Sequence, residues 1–451
     1  MLSNLRHIYF LGAGGIGMSA LARYFLLQGI KVSGYDKTDT ALTQALASEG
    51  VKMHYNDLGA DALQDIDLVV FTPAIPKEFG EYQAFLNSDI PMVKRAKILG
   101  EISKDYFTIA IAGTHGKTTI TSMVAHFLNA SGIPVNAFIG GIANNYSSNL
   151  ILNNEAKIMV VEADEFDRSF LHLHPDVAII SSMDADHLDI YENKSYLQDS
   201  FFDFANNIQT GGTLIMHEDL PTPPNYKNRL IRYGTKSTSD FKLTPLGINQ
   251  QQMQFEVEED TISLGHFNMS MPGLHNLLNA TAAIAASKQA GVDHQLLGKA
   301  ISTYKGVKRR FEIKINKTDC VLIDDYAHHP TEIKSAIAAT REMFAGAKIM
   351  GVFQPHLFSR TRDFADDFAA ELSKLDALLL LDIYPARELP IEGIDSQMLL
   401  NKVTLTEKFL LSKDDLANFI QQNKYPVTLM MGAGDIDKLV DPIEKIILNN
   451  A

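Results

Sequence analysis

The sequence predicts an α/β protein whose parallel sheets are distributed over three domains. Short apolar strands that end in polar or glycine-rich loops recur along the chain, and helical patterns follow many of them. The length of 451 residues exceeds what one hydrophobic core organises and corresponds to about three domains. With 46% hydrophobic and 21% charged residues, the composition is that of an ordinary globular chain.

Charge and cysteine content exclude several classes of protein. The net charge of -14 argues against a nucleic-acid partner, because binding many phosphates requires a basic face. Cys320 is the only cysteine, which excludes an internal disulfide and a cysteine-based zinc cluster. The sequence shows no apolar stretch of membrane-spanning length and no secretory signal. We therefore expect a cytoplasmic protein, either a monomer or a weak homo-oligomer.

The first predicted unit carries a glycine-rich loop. Residues 7–11 read as a buried strand, and Gly12-Ala13-Gly14-Gly15-Ile16-Gly17 then matches G-x-G-x-x-G before a helix that starts at Met18. A second strand ends at Asp36, about where a dinucleotide site has its ribose-binding acid. The loop itself requires only a diphosphate at a helix N-terminus, so NAD and a nucleotide-sugar diphosphate both remain candidates. A further strand over residues 68–72 ends at Thr72, just before Ala74.

Residues 107–119, FTIAIAGTHGKTT, have the layout of a phosphate-binding loop. An apolar strand leads to a turn at Gly113, and Gly116, Lys117 and Thr118 precede a helical pattern. Lys117 is placed to reach the β- and γ-phosphates of a nucleotide, and the Thr118 hydroxyl is placed to hold Mg²⁺. Ile111 stands where a complete G-x-x-x-x-G-K-[ST] motif has glycine. The alternative is a glycine-rich turn with a surface lysine.

Acidic groups follow the next two predicted strands of the middle region. The strand over residues 157–161 ends in Glu162-Ala163-Asp164-Glu165, and the strand over residues 176–181 leads to Asp184, His187 and Asp189. Carboxylates at strand ends beside a phosphate loop provide the oxygen ligands that Mg²⁺ requires. The alternatives are a solvated acidic turn and a structural histidine. Further along, Asn276 starts a helical stretch, where it either caps the helix or presents its amide to a base.

The last third of the chain repeats the pattern of strand and polar loop. Strands predicted over residues 321–324, 348–353, 377–381 and 427–431 each end in a polar loop, so we expect these loops to face one cleft. Arg360 and Arg362 offer forked donors for a carboxylate, unless they are ordinary surface arginines.

Taken in order, these segments identify a resemblance that covers essentially the whole chain. The chain resembles the Mur ligases, and most closely their alanine-adding branch, through GGIGMS (14–19), AGTHGKTT (112–119), EADE (162–165), DADH (184–187), HNLLNA (275–280), RRFE (309–312), DDYAHHPTE (324–332), FQPH and SRTRD (within 353–363), DIYPARE (382–388) and GAGDI (432–436). The resemblance implies a Rossmann-like UDP-sugar domain over residues 1–104, a central ATP-binding domain over 105–310 and a C-terminal Rossmann-like domain over 311–451. Leu357 departs from the polar residue that the family often has after FQPH.

The resemblance also implies a reaction and a set of site residues. The reaction is the ATP-dependent joining of L-alanine to the lactyl carboxylate of UDP-N-acetylmuramic acid through an acyl phosphate, with Mg²⁺, as two ions, for cofactor. The implied ATP contacts are Gly113, Thr114, His115, Gly116, Lys117, Thr118, Thr119, His275, Asn276, Arg310 and Asp325. The implied UDP-sugar contacts are Gly12, Gly14, Gly15, Ile16, Gly17, Met18, Asp36, Thr72 and Ala74. Thr118, Glu162 and His187 are the implied metal ligands, and Lys117, His187, His328 and Arg360 the implied catalytic residues.

Three other functions compete with this interpretation. A cell-wall recycling ligase adds a preformed tripeptide to the same sugar, but its glycine loop and amino-acid motifs look different from GGIGMS and DDYAHHPTE. An NAD-dependent oxidoreductase would leave Lys117 and the acidic strand ends unexplained. A nucleotide switch without chemistry would leave three sheets with ligand-binding loops unexplained. The base that accepts the proton of the attacking amine is either His328 or His329.

Overall fold

Three β-sheets organise the chain in the computed structural model, which describes residues 2, 5–184, 194–386 and 388–449. The sheets contain five, ten and six strands, and helices alternate with strands through most of the chain. The predicted α/β fold class is therefore confirmed. Among the helices that the structure describes, none has the length and apolar character needed to cross a lipid bilayer.

The first sheet is parallel, with the strand order β3-β2-β1-β4-β5. Because β1 has β2 on one side and β4 on the other, the chain leaves a crevice at the carboxyl end of β1, where the glycine-rich loop lies. The strands are β1 (His7–Leu11), β2 (Lys31–Tyr35), β3 (Lys52–His54), β4 (Leu68–Phe71) and β5 (Met92–Lys94), and the helices are α1 (Ile16–Leu27), α2 (Ala41–Glu49), α3 (Gly80–Leu86) and α4 (Arg95–Ser103).

The second sheet has the order β15-β14-β13-β12-β11-β10-β6-β9-β7-β8. Its strands are β6 (Phe107–Ala112), β7 (Val135–Ala143), β8 (Ser148–Ile151), β9 (Ile158–Glu162), β10 (Val177–Ile180), β11 (Thr213–His217), β12 (Arg229–Gly234), β13 (Phe241–Asn249), β14 (Gln252–Glu259) and β15 (Ile262–Met269). The helices are α5 (Lys117–Ala130), α6 (Lys194–Asn206), α7 (Leu274–Gln289) and α8 (His294–Ser302), with a 3₁₀ helix at Phe166–His172.

The third sheet has the order β16-β17-β21-β18-β19-β20 and is parallel except for β16. Its strands are β16 (Glu312–Lys317), β17 (Cys320–Asp325), β18 (Ile349–Phe353), β19 (Ala377–Leu380), β20 (Lys408–Leu410) and β21 (Val427–Met431). The helices are α9 (Pro330–Met343), α10 (Phe358–Asp363), α11 (Ala365–Leu372), α12 (Ser396–Lys402), α13 (Lys413–Gln422) and α14 (Asp437–Asn449).

The chain divides into two compact units. The first consists of Met1–Thr244, Glu256–His266 and Leu278–Tyr304, and the second of Pro245–Phe255, Phe267–Leu277 and Lys305–Ala451. The boundaries expected after residues 104 and 310 remain predictions.

Strand β6 fixes the position of the phosphate loop within the first unit. Residues 109–112 of this strand are fully buried, and β6 lies between β9 and β10. Ile111 pairs with Glu162 of β9 and with Ile179 of β10, so it is an interior strand residue and not part of the turn. The turn therefore begins only at Gly113, which explains why residue 111 is not glycine.

Candidate active site

The loop between β6 and α5 is bonded to the end of β10. Gly113 and Gly116 have φ values of 129° and 84°, and Gly116 is the N-cap of α5. The Thr114 amide donates to the Ser182 carbonyl at 3.2 Å, and the Thr114 hydroxyl donates to the Asp184 carbonyl at 3.0 Å. These bonds fix the loop at the N-terminus of the buried helix α5, where backbone amides favour an anion.

Lys117, the lysine of this loop, lies against its own loop and a buried carboxylate. Its Nζ donates to the carbonyls of Gly113 at 2.8 Å and Thr114 at 3.3 Å, and to Glu165 Oε1 at 2.9 Å. Burial lowers the pKa of Lys117, but the neighbouring carboxylates, Glu165 first, reverse this effect and leave the pKa above its usual value. The lysine is therefore a charged group at neutral pH.

The predicted metal ligands Thr118 and Glu162 lie together. The Thr118 hydroxyl donates to Glu162 Oε1 at 3.1 Å, and the Gly140 amide donates to Glu162 Oε2 at 2.9 Å. Glu162 is half-buried, and this burial raises the pKa of its carboxyl group. His187, the third predicted ligand, lies outside the described residues, and of the DADH motif the structure describes only Asp184.

Sequence reasoning missed three contacts beside the loop. Glu165 pairs with Lys117, and the Asn279 amide oxygen lies next to Gly116. His115 was predicted to contact ATP, and its Nε2 lies 3.3 Å from Asp184 Oδ2, a partner that was not predicted. The available signals were the second glutamate of EADE and the second asparagine of HNLLNA, which is one helical turn after Asn276.

The N-terminal glycine loop is braced by Asp36. The amides of Gly12 and Ala13 both donate to the Tyr35 carbonyl at 2.9 Å, and the Gly14 amide donates to Asp36 Oδ2 at 2.7 Å. The Asp36 carboxylate thus shapes the loop, and its predicted contact with the UDP-sugar remains a prediction. The other predicted residues lie around the same crevice. Gly15 is the N-cap of α1, and Ile16, Gly17 and the buried Met18 are the first residues of that helix. Thr72, two residues before Ala74, packs against Gly12.

Arg95, at the start of α4, was not predicted and lies on this loop. The Arg95 guanidinium lies so close to Gly17 that a Cβ atom on residue 17 would displace it. Arg95 also lies 3.7 Å from Asp164 Oδ2, in the EADE turn. A cation at the N-terminus of α1 faces the positive end of the helix dipole, so an anion bound in the loop would relieve this repulsion.

In the second unit, the predicted residues Arg310 and Asp325 lie around Tyr326. The guanidinium carbons of Arg309 and Arg310 are 5.2 and 5.0 Å from the centre of the Tyr326 ring. Asp325 accepts from the amides of Phe311 and Ala327, both at 2.7 Å. Burial raises the pKa of Asp325 to about 6, against the opposing effect of Arg310.

Two histidines of the DDYAHHPTE loop have different environments. His328 Nδ1 is 2.9 Å from the Tyr326 carbonyl, which only accepts, so this nitrogen carries the proton and Nε2 is the acceptor. His329 Nδ1 accepts from the Thr331 amide at 3.4 Å and caps α9, and the residue is 6% exposed. His328 is therefore the better placed of the two for proton transfer.

Arg360 and His356 lie together near the end of β18. Arg360 is 9% exposed, and its Nη1 lies 3.4 Å from His356 Nδ1. The His356 ring is 6.0 Å from the ring of His328. Leu357, which follows His356 in the sequence, has a φ of 71°. Strained backbone of this kind clusters at functional sites.

His275 and Asn276 are at the start of α7. Burial lowers the pKa of His275 to about 4, so its ring is neutral at physiological pH. The Asn276 side chain is buried and donates to the Pro272 carbonyl at 2.7 Å, which fixes the turn before the helix. Its predicted contact with adenine is untested and remains a prediction.

These features define a class: an α/β protein of three sheets with a glycine-rich loop of the phosphate-binding type, whose lysine and hydroxyl lie against two carboxylates. Family models described as the Mur ligase family catalytic domain, the Mur ligase middle domain and the Mur ligase glutamate ligase domain match residues 7–107, 111–287 and 309–434. The chain belongs to the Mur ligase family.

Similar proteins of known name agree with this membership. The UDP-N-acetylmuramate–L-alanine ligase of Christiangramia forsetii is 46% identical over 100% of this chain and 99% of its own length, and that of Parabacteroides distasonis is 44% identical over 99% and 98%. The crystal structure of the UDP-N-acetylmuramate–alanine ligase of Thermotoga maritima matches with a TM-score of 0.85 and 27% identity, covering 99% of this chain and 100% of that one. A murein peptide ligase from Psychrobacter arcticus matches with a TM-score of 0.71 and 25% identity over 98% and 99%.

A substitution at Gly140 tests whether the Glu162 carboxylate must hold its position. A Cβ atom on residue 140 would overlap both carboxylate oxygens, so Gly140→Ala should displace them from Thr118. We expect kcat to fall about 10- to 100-fold and the Mg²⁺ requirement to rise. The control is Gly298→Ala in α8, where a Cβ atom meets nothing within 4 Å. Equal kcat in both variants would contradict the assignment.

A second prediction concerns the pH dependence of stability in the second unit. Burial raises the pKa of Asp324 to about 7, despite the neighbouring Arg309. The folded state therefore binds a proton that the unfolded state releases near pH 4, and this contribution to stability is lost as pH rises through 7.

Asp324→Asn removes this proton uptake. The difference in melting temperature, variant minus wild type, should therefore increase by about 1–3 °C from pH 5 to pH 8. Scanning calorimetry would measure this difference. The exposed Asp319→Asn is the control with the same change in charge. A relative melting temperature that is flat, or that falls with pH, would show that Asp324 is not held protonated.

Proposed function

We propose that this chain joins L-alanine to the lactyl carboxylate of UDP-N-acetylmuramic acid at the expense of ATP, as a step of peptidoglycan synthesis. The observation that carries the proposal is the full-length match, at 46% identity, to a protein named for this activity. The charged cluster at the phosphate loop supplies the groups that such a reaction needs. We place the reaction in the cytoplasm, and the oligomeric state remains a prediction.

The first half of the reaction activates the carboxylate. A carboxylate does not react with an amine at neutral pH, because its oxygen is a poor leaving group. Attack of a lactyl oxygen on the γ-phosphorus of ATP gives an acyl phosphate and releases ADP. The protein contributes mainly position and charge, and Lys117 would stabilise the negative charge on the transferring phosphoryl group.

The residues at the loop fit the magnesium ion that this transfer requires. Thr118 and Glu162 present neighbouring oxygen ligands, and the half-buried Glu162 carboxylate would gain a compensating charge from a bound cation. Mg²⁺ held by Thr118 and Glu162 would neutralise charge on the phosphates. We assign a second ion to His187, as the family resemblance implies.

The second half forms the amide bond. The neutral amine of alanine attacks the acyl carbon, the amide forms and phosphate leaves. We assign the carboxylate of alanine to Arg360, whose forked donors suit it. His328 Nε2 would accept the amine proton, because Nδ1 is engaged with the Tyr326 carbonyl.

The UDP-sugar would bind at the N-terminal glycine loop. The amides at the start of α1 and the Arg95 guanidinium together suit a diphosphate better than a single charge. NAD also carries a diphosphate, but the full-length relatives are named for a UDP-sugar substrate, so we assign the loop to the UDP-sugar.

The test follows phosphate release with UDP-N-acetylmuramic acid, ATP and Mg²⁺ while candidate amines are supplied in turn. We expect release to require L-alanine, and Lys117→Ala to lower kcat by at least about 100-fold. A preference for the preformed tripeptide L-alanyl-γ-D-glutamyl-meso-diaminopimelate would instead identify a recycling ligase. Binding of NADH without any response to the UDP-sugar would contradict the assignment of the first domain.

A further inference from the structure

Glu165 is a buried carboxylate to which the mechanism above gives no role. It lies at the end of the EADE turn after β9, is 1% exposed, and holds Lys117 with both oxygens, at 2.9 and 2.8 Å from Nζ. Its neighbour Glu162 has different partners, the Thr118 hydroxyl and the Gly140 amide. The two glutamates of this turn thus contact different residues of the loop: Glu162 contacts Thr118, and Glu165 contacts Lys117.

The present partners of Lys117 are the ones that a bound nucleotide would have to displace. An ammonium group has three hydrogens, and here they meet the Gly113 carbonyl, the Thr114 carbonyl and Glu165. The lysine is therefore folded back over its own loop. For Nζ to contact a phosphate, at least one of these bonds must break, and the charged bond to Glu165 is the strongest competitor.

A purely structural ion pair explains this arrangement less well. Burying two charges carries a large desolvation cost, and replacement of such pairs by apolar residues is often neutral or stabilising. A pair kept only for stability would not need to use the one lysine of the phosphate loop. If Lys117 instead exchanges between a nucleotide phosphate and a protein carboxylate, the lysine must belong to the phosphate loop and the carboxylate must lie within its reach, as Glu165 does.

We propose that Glu165 is a positioning residue that competes with the nucleotide phosphates for Lys117. It holds the lysine within the loop when no nucleotide is bound, and it binds Nζ again as ADP leaves. The proposal rests on the proposed ATP site. It predicts that removal of the Glu165 charge tightens nucleotide binding and slows ADP release, whereas structural damage would weaken binding.

The experiment is a calorimetric titration of the full-length protein with ADP and Mg²⁺. Glu165→Gln should bind ADP about fivefold or more tightly than wild type, which corresponds to about 1 kcal/mol. In a Lys117→Met background the same change should alter affinity less than about twofold, because no lysine remains to be contested. The matched control is Glu155→Gln, an exposed change of equal charge before the opposite end of β9.

Glu165→Asp provides a second test that keeps the charge. Its shorter side chain withdraws the carboxylate from Nζ, so its ADP affinity should lie between those of wild type and Glu165→Gln. Stopped-flow ADP release should slow in the same order. These readouts do not depend on whether Glu165→Gln lowers the overall rate.

Three results would overturn the proposal: unchanged or weaker ADP binding by both Glu165 variants, equal gains with and without Lys117, or an equal gain in Glu155→Gln. In each of these cases wild type still binds ADP, so the proposed ATP site stands. Failure of wild type itself to bind ADP would remove that site and the present proposal together.

Discussion

The constraint on which the site depends is the burial of charged side chains at the carboxyl end of β9. Glu165 is buried and Glu162 is half-buried, and burial raises the pKa of each. Buried carboxylates must find partners, and strand order provides them, because β9 lies directly beside β6. Lys117 and Thr118 are the first residues of the helix that follows β6. Lys117 is therefore the partner of Glu165, and Thr118 is the partner of Glu162.

The same turn also contacts an arginine at the N-terminal glycine loop. Between the two glutamates, Asp164 lies close to Arg95, and Arg95 lies on Gly17. The three acidic residues of the EADE turn therefore have three different partners within the first unit: the Thr118 hydroxyl, Lys117 and Arg95.

The sequence predicted what local patterns control and missed what only tertiary contacts decide. Fully buried strands such as β6 and β10 were evident as apolar runs, and their terminal loops followed from the rule that α/β sheets bind ligands at carboxyl ends. Strands β13–β15 were missed because they are half exposed, although alternation over Met253, Phe255 and Val257 was a usable signal. The partners of Arg95 and Glu165 were not predicted, because each partner lies about 50 or more residues away in the sequence.

The central claim is that the β6 loop and the β9 turn form one nucleotide and metal site. A crystal structure with Mg²⁺ and a non-hydrolysable ATP analogue tests it most directly. The account predicts Mg²⁺ at about 2.1 Å from Thr118 Oγ1 and a Glu162 oxygen, with Lys117 Nζ moved from Glu165 to the phosphates. A metal bound elsewhere, or Lys117 still paired with Glu165 beside a bound nucleotide, would contradict it.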